Sequence, residues 1–214
     1  MSRQTFLMHR LLVAFFLLPL AVISTVMISR GWMQKFQAES LRALPVHQSV
    51  MPFSLIDQNG AAVTLASLAG KVWIGDFIFT RCAGPCPVMT RAMKVLDSEI
   101  HEPDARFVSF TVDPDYDTPE RLKNYLAKFD ANPERWLFLT GDKQTLHDLS
   151  IKSFYLGVTE VPEAEREAPD QTVTHSTRFV LVDRLGRLRG YYDGTDAKAL
   201  KQLVRDARVL LRNS

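Results

Sequence analysis

A nearly unbroken apolar run that leads into two cysteines constrains this chain more than any other feature. The run covers residues 72–79, with Asp76 as its one charged residue, and Cys82 and Cys86 follow it closely. Such a run is typical of a strand that is buried on both faces of a sheet. Pro87 suits the first turn of a helix. We therefore predict a central strand, a cysteine loop and a helix in that order, and Asp76 would need a partner if it is buried.

Predicted strands and helices alternate through the middle of the chain, which favours parallel pairing through βαβ units. A hairpin and a final amphipathic helix close the chain, and two short strands around Asn59-Gly60 precede the central strand. We therefore predict an α/β domain over residues 49–214, with a four- or five-stranded mixed sheet and helices on both faces. The predicted elements are strands at 106–112 and 136–139, helices at 119–129 and 142–154, and a hairpin at 177–192.

The N-terminal region contains 19 uncharged residues, 11–29, between Arg10 and Arg30. About 20 apolar residues span the hydrocarbon core of a bilayer, and a proline such as Pro19 is tolerated in a membrane helix. A cleaved signal peptide is the alternative, and small residues such as Ala21 are compatible with it. Both interpretations place the remainder across the membrane. We predict a membrane anchor at residues 1–30 and a tether at 31–48.

The distribution of charge does not determine how the chain is oriented in the membrane, but it does argue against one class of partner. Basic residues lie on both sides of the apolar run, so the positive-inside rule does not choose between the two orientations. The short N-terminal tail favours a single-pass protein in the inner membrane, with its soluble domain on the periplasmic side. Three of the 26 basic residues precede residue 31, where no acidic residue occurs, so the remainder is close to neutral. A nearly neutral domain lacks the basic surface patch that binds nucleic acid.

The chain has two cysteines, and both fall where a predicted strand passes into a helix. A helix N-terminus stabilises thiolate and lowers the pKa of a thiol, but thiolate both attacks disulfides and binds metals. Three residues separate the cysteines, whereas redox pairs usually have two. Two thiolates and one imidazole suit Cu(I), and an exchanged ligand admits Cu(II), while structural zinc usually takes four protein ligands. An inert disulfide remains an alternative, although so short a loop gains little stability from it.

Five histidines are candidates for a third ligand. His175 stands out because it lies in a predicted loop just before the strand at 177–183, beside the expected start of the helix that follows the central strand. The residues alone leave open whether it binds a metal or only forms hydrogen bonds. The others are His9 before the apolar run, His47 in the tether, and His101 and His147 on predicted helices.

Several motifs in a fixed order resemble the Sco/SenC family, over residues 49–212 and including the N-terminal anchor. They are Phe79-Thr80-Arg81-Cys82, Cys86-Pro87, Phe110-Thr111-Val112-Asp113-Pro114, Asp117-Thr118-Pro119, His175-Ser176-Thr177, and Val182-Asp183 with Gly186.

This resemblance implies a membrane-tethered, thioredoxin-like domain that binds copper and assists assembly of the CuA site of cytochrome c oxidase. The ligands of the family map onto Cys82, Cys86 and His175. Asp113 is expected near the site, where it would influence metal uptake or partner contact, although starting the turn before Pro114 also accounts for it. Copper binding requires reduced thiols, so a disulfide between the cysteines would abolish it.

Two departures from the family pattern keep other functions open. Thr174 stands where the family often has an aspartate, and Ala83-Gly84-Pro85 is similar to the Gly-Pro of thioredoxin motifs. The rival prediction is an enzyme, a thiol-disulfide oxidoreductase that reduces cysteines of a partner such as the CuA site. A weaker alternative is a copper or redox sensor that signals through the acidic stretch at 160–170, which otherwise is predicted to be a solvated loop.

Overall fold

The computed structural model describes residues 23–33, 44–160 and 173–212. The chain divides into two units, residues 1–43 and 44–214, and in the first unit residues 23–33 are helical. No helix within the described ranges is both long enough and apolar enough to cross a membrane. Residues 1–22 of the predicted anchor and 34–43 of the predicted tether lie outside the described residues, so both segments stay predictions.

The described residues of the second unit contain ten strands. They are β1 (Gln48–Ser49), β2 (Ser54–Ile56), β3 (Ala62–Thr64), β4 (Val72–Ile78), β5 (Ala105–Thr111), β6 (Trp136–Leu139), β7 (Val158–Glu160), β8 (Val173–His175), β9 (Arg178–Val182) and β10 (Arg187–Asp193). Six of them form a mixed sheet with the order β1-β10-β9-β4-β5-β6. Two further pairs of strands, β2 with β3 and β7 with β8, are antiparallel.

Strand β4 lies inside the sheet, as its composition predicts. All seven of its residues are buried. It pairs in parallel with β5 and antiparallel with β9. The sheet has six strands rather than the four or five predicted, because Gln48 and Ser49, at the end of the predicted tether, pair with Leu188 and Arg187 at the edge.

Helices pack on both faces of this sheet, which confirms the predicted layers. Alternate residues of β4 enter two separate cores: Val72, Ile74 and Ile78 on one face, Trp73 and Phe77 on the other. The helices are α1 (Cys86–Glu99), α2 (Pro119–Lys128), α3 (Lys143–Asp148) and α4 (Ala197–Arg212), with a 3-10 turn at Ala66–Leu68 and a π-helix at Leu149–Ser153. The first core receives α1, α2 and α4, and the second receives α3 together with the β2–β3 hairpin.

Three local features differ from the sequence-based prediction. The single helix predicted at 142–154 is α3 followed by a π-helical turn. His101 lies beyond the end of α1 rather than on a helix. His175 was predicted in a loop, but it is the last residue of β8, whose backbone pairs with β7. The acidic stretch lies almost wholly outside the described residues, so its predicted role is untested.

Candidate metal centre

The cysteine loop joins the carboxyl end of β4 to the first residue of α1. The amide of Cys82 donates to the carbonyl of Phe79 (3.3 Å), which turns the chain away from the strand. Pro85 caps α1, so Cys86 is the first helical residue. The prolines at positions 85 and 87 cost little, since the first amides of a helix have no partner within it. The sequence alone predicted this strand–loop–helix arrangement.

The two sulfurs differ in accessibility. Cys82 is partly exposed and Cys86 is fully buried, and both are present as thiols. A hydrogen bond with Cys82, followed by burial, raises the pKa of Cys86. The expectation of a lowered pKa is therefore wrong for Cys86, because the hydrogen bond with the neighbouring sulfur and the burial of the thiol raise it. A metal that binds Cys86 must displace its proton.

Asp76 is fully buried in the middle of β4. Its negative charge is among the influences that raise the pKa of Cys86, after the hydrogen bond with Cys82 and burial. The carboxylate is therefore within electrostatic reach of the thiols. The sequence showed an acidic residue in a buried strand, but it did not show that its side chain lies on the same face as α1.

Asp113 lies beside the cysteine loop. Its carboxylate accepts from Nε of Arg81 at 2.7 Å, and Arg81 directly precedes Cys82. The Asp113 side chain is 10% exposed and the Arg81 side chain is 34% exposed, so the carboxylate is the better shielded partner of this ion pair. The guanidinium of Arg81 also lies 4.6 Å from the centre of the Tyr116 ring. The structure thus links Asp113 to the residue next to Cys82, in addition to its place in the turn before Pro114.

Asp117 is a further carboxylate near the cysteine loop, at the carboxyl end of the strands, and its role was not predicted. It is fully buried and accepts from the Thr80 amide (3.1 Å), the Thr80 hydroxyl and the Thr111 hydroxyl (2.6 Å). Burial raises the pKa of Asp117, while these hydrogen bonds act in the opposite direction. Asp113 and Asp117 follow a buried strand and are four residues apart. This placement was the available indication in the sequence that both residues lie near the cysteine loop.

The backbone topology brings His175 to the same end of the sheet. β9 runs antiparallel to β4, with Gly75 opposite Val180 and Trp73 opposite Val182. The start of β9 therefore lies at the carboxyl end of β4, where the cysteine loop begins, and His175 is three residues before that start. The side chain of His175 is outside the described part of the structure.

The other described histidines have separate contacts. His47 packs against the Tyr191 ring with 5.4 Å between ring centroids, and Nδ1 of His147 lies 3.9 Å from Asp148. Among the side chains that the structure describes, no three of His, Cys, Asp and Glu come together as a metal-binding group. The His175 side chain is not among them, so its predicted place as the third ligand stays a prediction.

The two cysteine sulfurs are suitable ligands for a soft metal ion. Two sulfurs, one partly exposed and one buried, provide the ligands that Cu(I) prefers. The same two sulfurs can form a disulfide, so the chemistry of the site includes both metal binding and thiol oxidation.

Comparison with known proteins provides independent information about this domain. The family model described as SCO1/SenC matches residues 43–211. The SCO1 protein homolog of Bacillus subtilis (strain 168) is 35% identical over 167 residues, which make up 77% of this chain and 83% of the relative.

Solved structures agree with that similarity. ScoI of Bradyrhizobium japonicum with copper bound superposes with a TM-score of 0.62 at 30% identity, covering 73% of this chain and 98% of that one. BsSco, described as a Sco-family cytochrome c oxidase assembly protein with a disulfide switch, gives a TM-score of 0.68 at 32% identity and covers 79% and 97%. The predicted α/β fold, with its thioredoxin-like mixed sheet, is confirmed.

Proposed function

The chain belongs to the SCO1/SenC family, and from this premise we propose that it is a copper chaperone that assists assembly of cytochrome c oxidase. Its cargo is one copper ion, held by Cys82, Cys86 and His175. The observation that carries the proposal is the pair of thiols at the start of α1, one partly exposed and the other buried. The recipient is the oxidase subunit that carries the CuA site.

The two cysteines have different parts in copper transfer. Cys86 is buried and belongs to α1, so it gives the ion a fixed sulfur ligand. Cys82 is partly exposed, so a partner's ligand can reach copper from its side. Transfer then proceeds by exchange of one ligand at a time, and the copper ion is never released to water.

His175 completes the ligand set in this proposal. The antiparallel pairing of β9 with β4 supports it, because that pairing returns the chain to the cysteine end of the sheet. A nitrogen ligand next to two sulfurs allows the site to accept copper in either oxidation state.

We place the soluble domain outside the cytoplasm, on the periplasmic side of the inner membrane, with residues 1–30 as a single-pass anchor. The uncharged run at 11–29 supports this placement, since its length matches the hydrocarbon thickness of a bilayer.

The second candidate function is reduction of a partner's disulfide, and the unequal exposure of the two thiols favours it. The Cys82 thiolate would attack the partner disulfide and form a mixed disulfide, releasing one partner thiolate. Cys86, after losing its proton, would attack the Cys82 sulfur and release the second partner thiolate. The cysteine pair ends oxidised and the partner reduced. Copper delivery accounts for His175 as well, which disulfide exchange does not.

Copper titration of the reduced full-length protein in detergent tests the proposal. Loss of a group that merely orients a metal ligand costs about 10- to 100-fold in affinity. We therefore expect His175→Ala to weaken copper binding by at least about tenfold and to change the absorption spectrum of the copper complex. His147→Ala is the matched control, because His147 is a half-exposed histidine on α3, and it should bind as the wild type does.

Unchanged affinity and an unchanged spectrum in His175→Ala would eliminate the three-ligand site. If His175→Ala also supports full oxidase assembly in cells, while either cysteine substitution abolishes it, thiol reduction becomes the function.

A further inference from the structure

Two hydroxyl groups form a buried relay behind Cys86. The Thr90 hydroxyl lies 2.9 Å from the carbonyl oxygen of Cys86 and 3.0 Å from the Tyr125 hydroxyl. Thr90 is 1% exposed and Tyr125 is 6% exposed, so water does not compete for these bonds. The Thr90 hydroxyl has one proton, which it donates to the Cys86 carbonyl, so Tyr125 must be the donor to Thr90.

The relay connects two helices. A threonine that bonds to the carbonyl four residues earlier in its own helix is a common local arrangement. Tyr125, however, belongs to α2, while Thr90 and Cys86 belong to α1. The Tyr125 ring is fixed by Phe129 and Phe138, with ring centroids 5.0 and 6.0 Å away. The donor therefore comes from a rigid neighbouring element.

The electrostatic surroundings also place the Tyr125 hydroxyl near the thiols. Burial raises the pKa of Tyr125, and the charges of Cys86, Asp76 and Cys82 raise it further. Tyr192 offers a contrast, because it is equally buried in the same core but its hydroxyl donates to Asp206 at 2.8 Å. The pKa of Tyr192 is raised by burial and by Asp206, with no contribution from either cysteine.

We propose that Tyr125 is a positioning residue of the metal site, which acts through Thr90 on the backbone of Cys86. This inference rests on the proposed copper function. Cys86 is the first residue of α1, so no turn of the helix precedes it. Tyr125 of α2 holds the Cys86 carbonyl in place through the Thr90 hydroxyl. The direction of the Cys86 side chain is therefore set before copper binds. The relay thus preorganises the buried sulfur of Cys86. It keeps this sulfur in the position that it has in the reduced protein, which we call the thiol arrangement.

The test compares five variants for copper affinity. Tyr125→Phe and Thr90→Val each remove one hydroxyl with little change in shape, and each should weaken copper binding by about tenfold. The double variant should bind no worse than either single variant, because both substitutions break one relay. Thr90→Ser keeps the hydroxyl and should bind at least about threefold more tightly than Thr90→Val. Tyr192→Phe, which removes an equally buried hydroxyl, should match the wild type.

A second measurement needs no copper. The two thiols are equilibrated with oxidised glutathione, which yields the Cys82–Cys86 disulfide and two molecules of reduced glutathione. Because the relay holds the thiol arrangement, Tyr125→Phe should shift this equilibrium toward the disulfide by about three- to tenfold, which corresponds to one hydrogen bond. Tyr192→Phe should not shift it. Thermal unfolding of each variant identifies any that fails to fold, and Thr90→Val then replaces Tyr125→Phe.

Wild-type copper affinity together with a wild-type glutathione equilibrium in both folded variants would refute the role of Tyr125. Equal losses in Tyr192→Phe would also refute it, since any buried hydroxyl would then have the same effect. If the wild type binds no copper, the proposed function fails, while the glutathione equilibrium still decides whether Tyr125 positions Cys86.

Discussion

Asp117 holds the first residues of the cysteine loop through three hydrogen bonds, two from Thr80 and one from Thr111. Thr80 is two residues before Cys82, and Thr111 ends the neighbouring strand β5. The oxygens of this fully buried side chain are paired with these donors, which offset part of the cost of its burial. Its carboxylate therefore determines where the chain leaves β4 and begins the turn toward the sulfurs.

Replacing Asp117 with alanine should lower the free energy of unfolding by about 1–3 kcal/mol, because it leaves buried donors without an acceptor. Asp115→Ala is the matched control in the same loop. The side chain of Asp115 is 79% exposed, and its ion pair with Lys143 is 3.6 Å long, so its loss should change stability by less than about 0.5 kcal/mol. Urea unfolding of both variants measures the difference. If Asp117→Ala and Asp115→Ala had equal free energies of unfolding, Asp117 would not anchor the loop.

At the residue scale, the sequence identified both cysteines, and resemblance to the Sco/SenC family placed Asp113 near them. The sequence did not predict the raised pKa of Cys86, because that shift comes first from the hydrogen bond with the second sulfur and then from burial, and both depend on the fold. Thr90 and Tyr125 were also missed. Their hydroxyls meet only because α1 and α2 pack in one core, and no local pattern reports such a contact.

Among the elements, the β9–β10 hairpin shows how one carboxylate organises a turn. Asp183 accepts from the amides of Leu185 and Arg187 and from the guanidinium groups of Arg187 and Arg189. Arg189 also donates to the carbonyls of Leu44 and Pro45, which fixes the first described residues of this unit against β10. Burial alone would raise the pKa of Asp183, but these donors outweigh it and the pKa is lowered.

A lowered carboxyl pKa in the folded state stabilises the protein at neutral pH, and this contribution is lost as the pH falls through the folded pKa. Asp183→Asn should therefore be less stable than the wild type at pH 7, by about 1–3 kcal/mol. The difference should shrink below about pH 4, where the wild-type carboxylate begins to protonate. Denaturant unfolding between pH 7 and pH 3 measures it.

Asp115→Asn is the control for this experiment, because the side chain of Asp115 is 79% exposed and its ion pair with Lys143 is 3.6 Å long. It should change stability at pH 7 by no more than about 0.5 kcal/mol. A difference between Asp183→Asn and the wild type that stays constant or grows on acidification would contradict the role given to the Asp183 charge.

Elements with a clear local signal were predicted better than those without one. The predicted strand at 136–139 is β6 itself, and the helix predicted at 119–129 is α2 within one residue. Strands β1, β7 and β8 were missed because two or three residues carry no periodicity, and no Asn-Gly turn marks them as it marks β2 and β3. The π-helical turn after α3 was missed for a related reason, since the apolar pattern continues through it as it would in an α-helix.

For the whole second unit, the topology explains why one edge of the sheet carries the chemistry. β4 and β5 are parallel, so the cysteine loop and the loop with Asp113 and Asp117 emerge side by side. β9 is antiparallel to β4, so its start returns to the same edge. The alternation of strands and helices in the sequence predicted the first relation. The position of His175 as a ligand came from resemblance to the Sco/SenC family and stays a prediction.

The central claim is that copper is held by both sulfurs and a histidine nitrogen. X-ray absorption of the reduced, copper-loaded full-length protein tests it directly, with Cys82→Ser as the comparison. We expect one copper per chain, with a first shell of two sulfurs and at least one nitrogen in the wild type and one fewer sulfur in the variant. A shell of nitrogen and oxygen alone, or identical spectra for wild type and Cys82→Ser, would contradict the account.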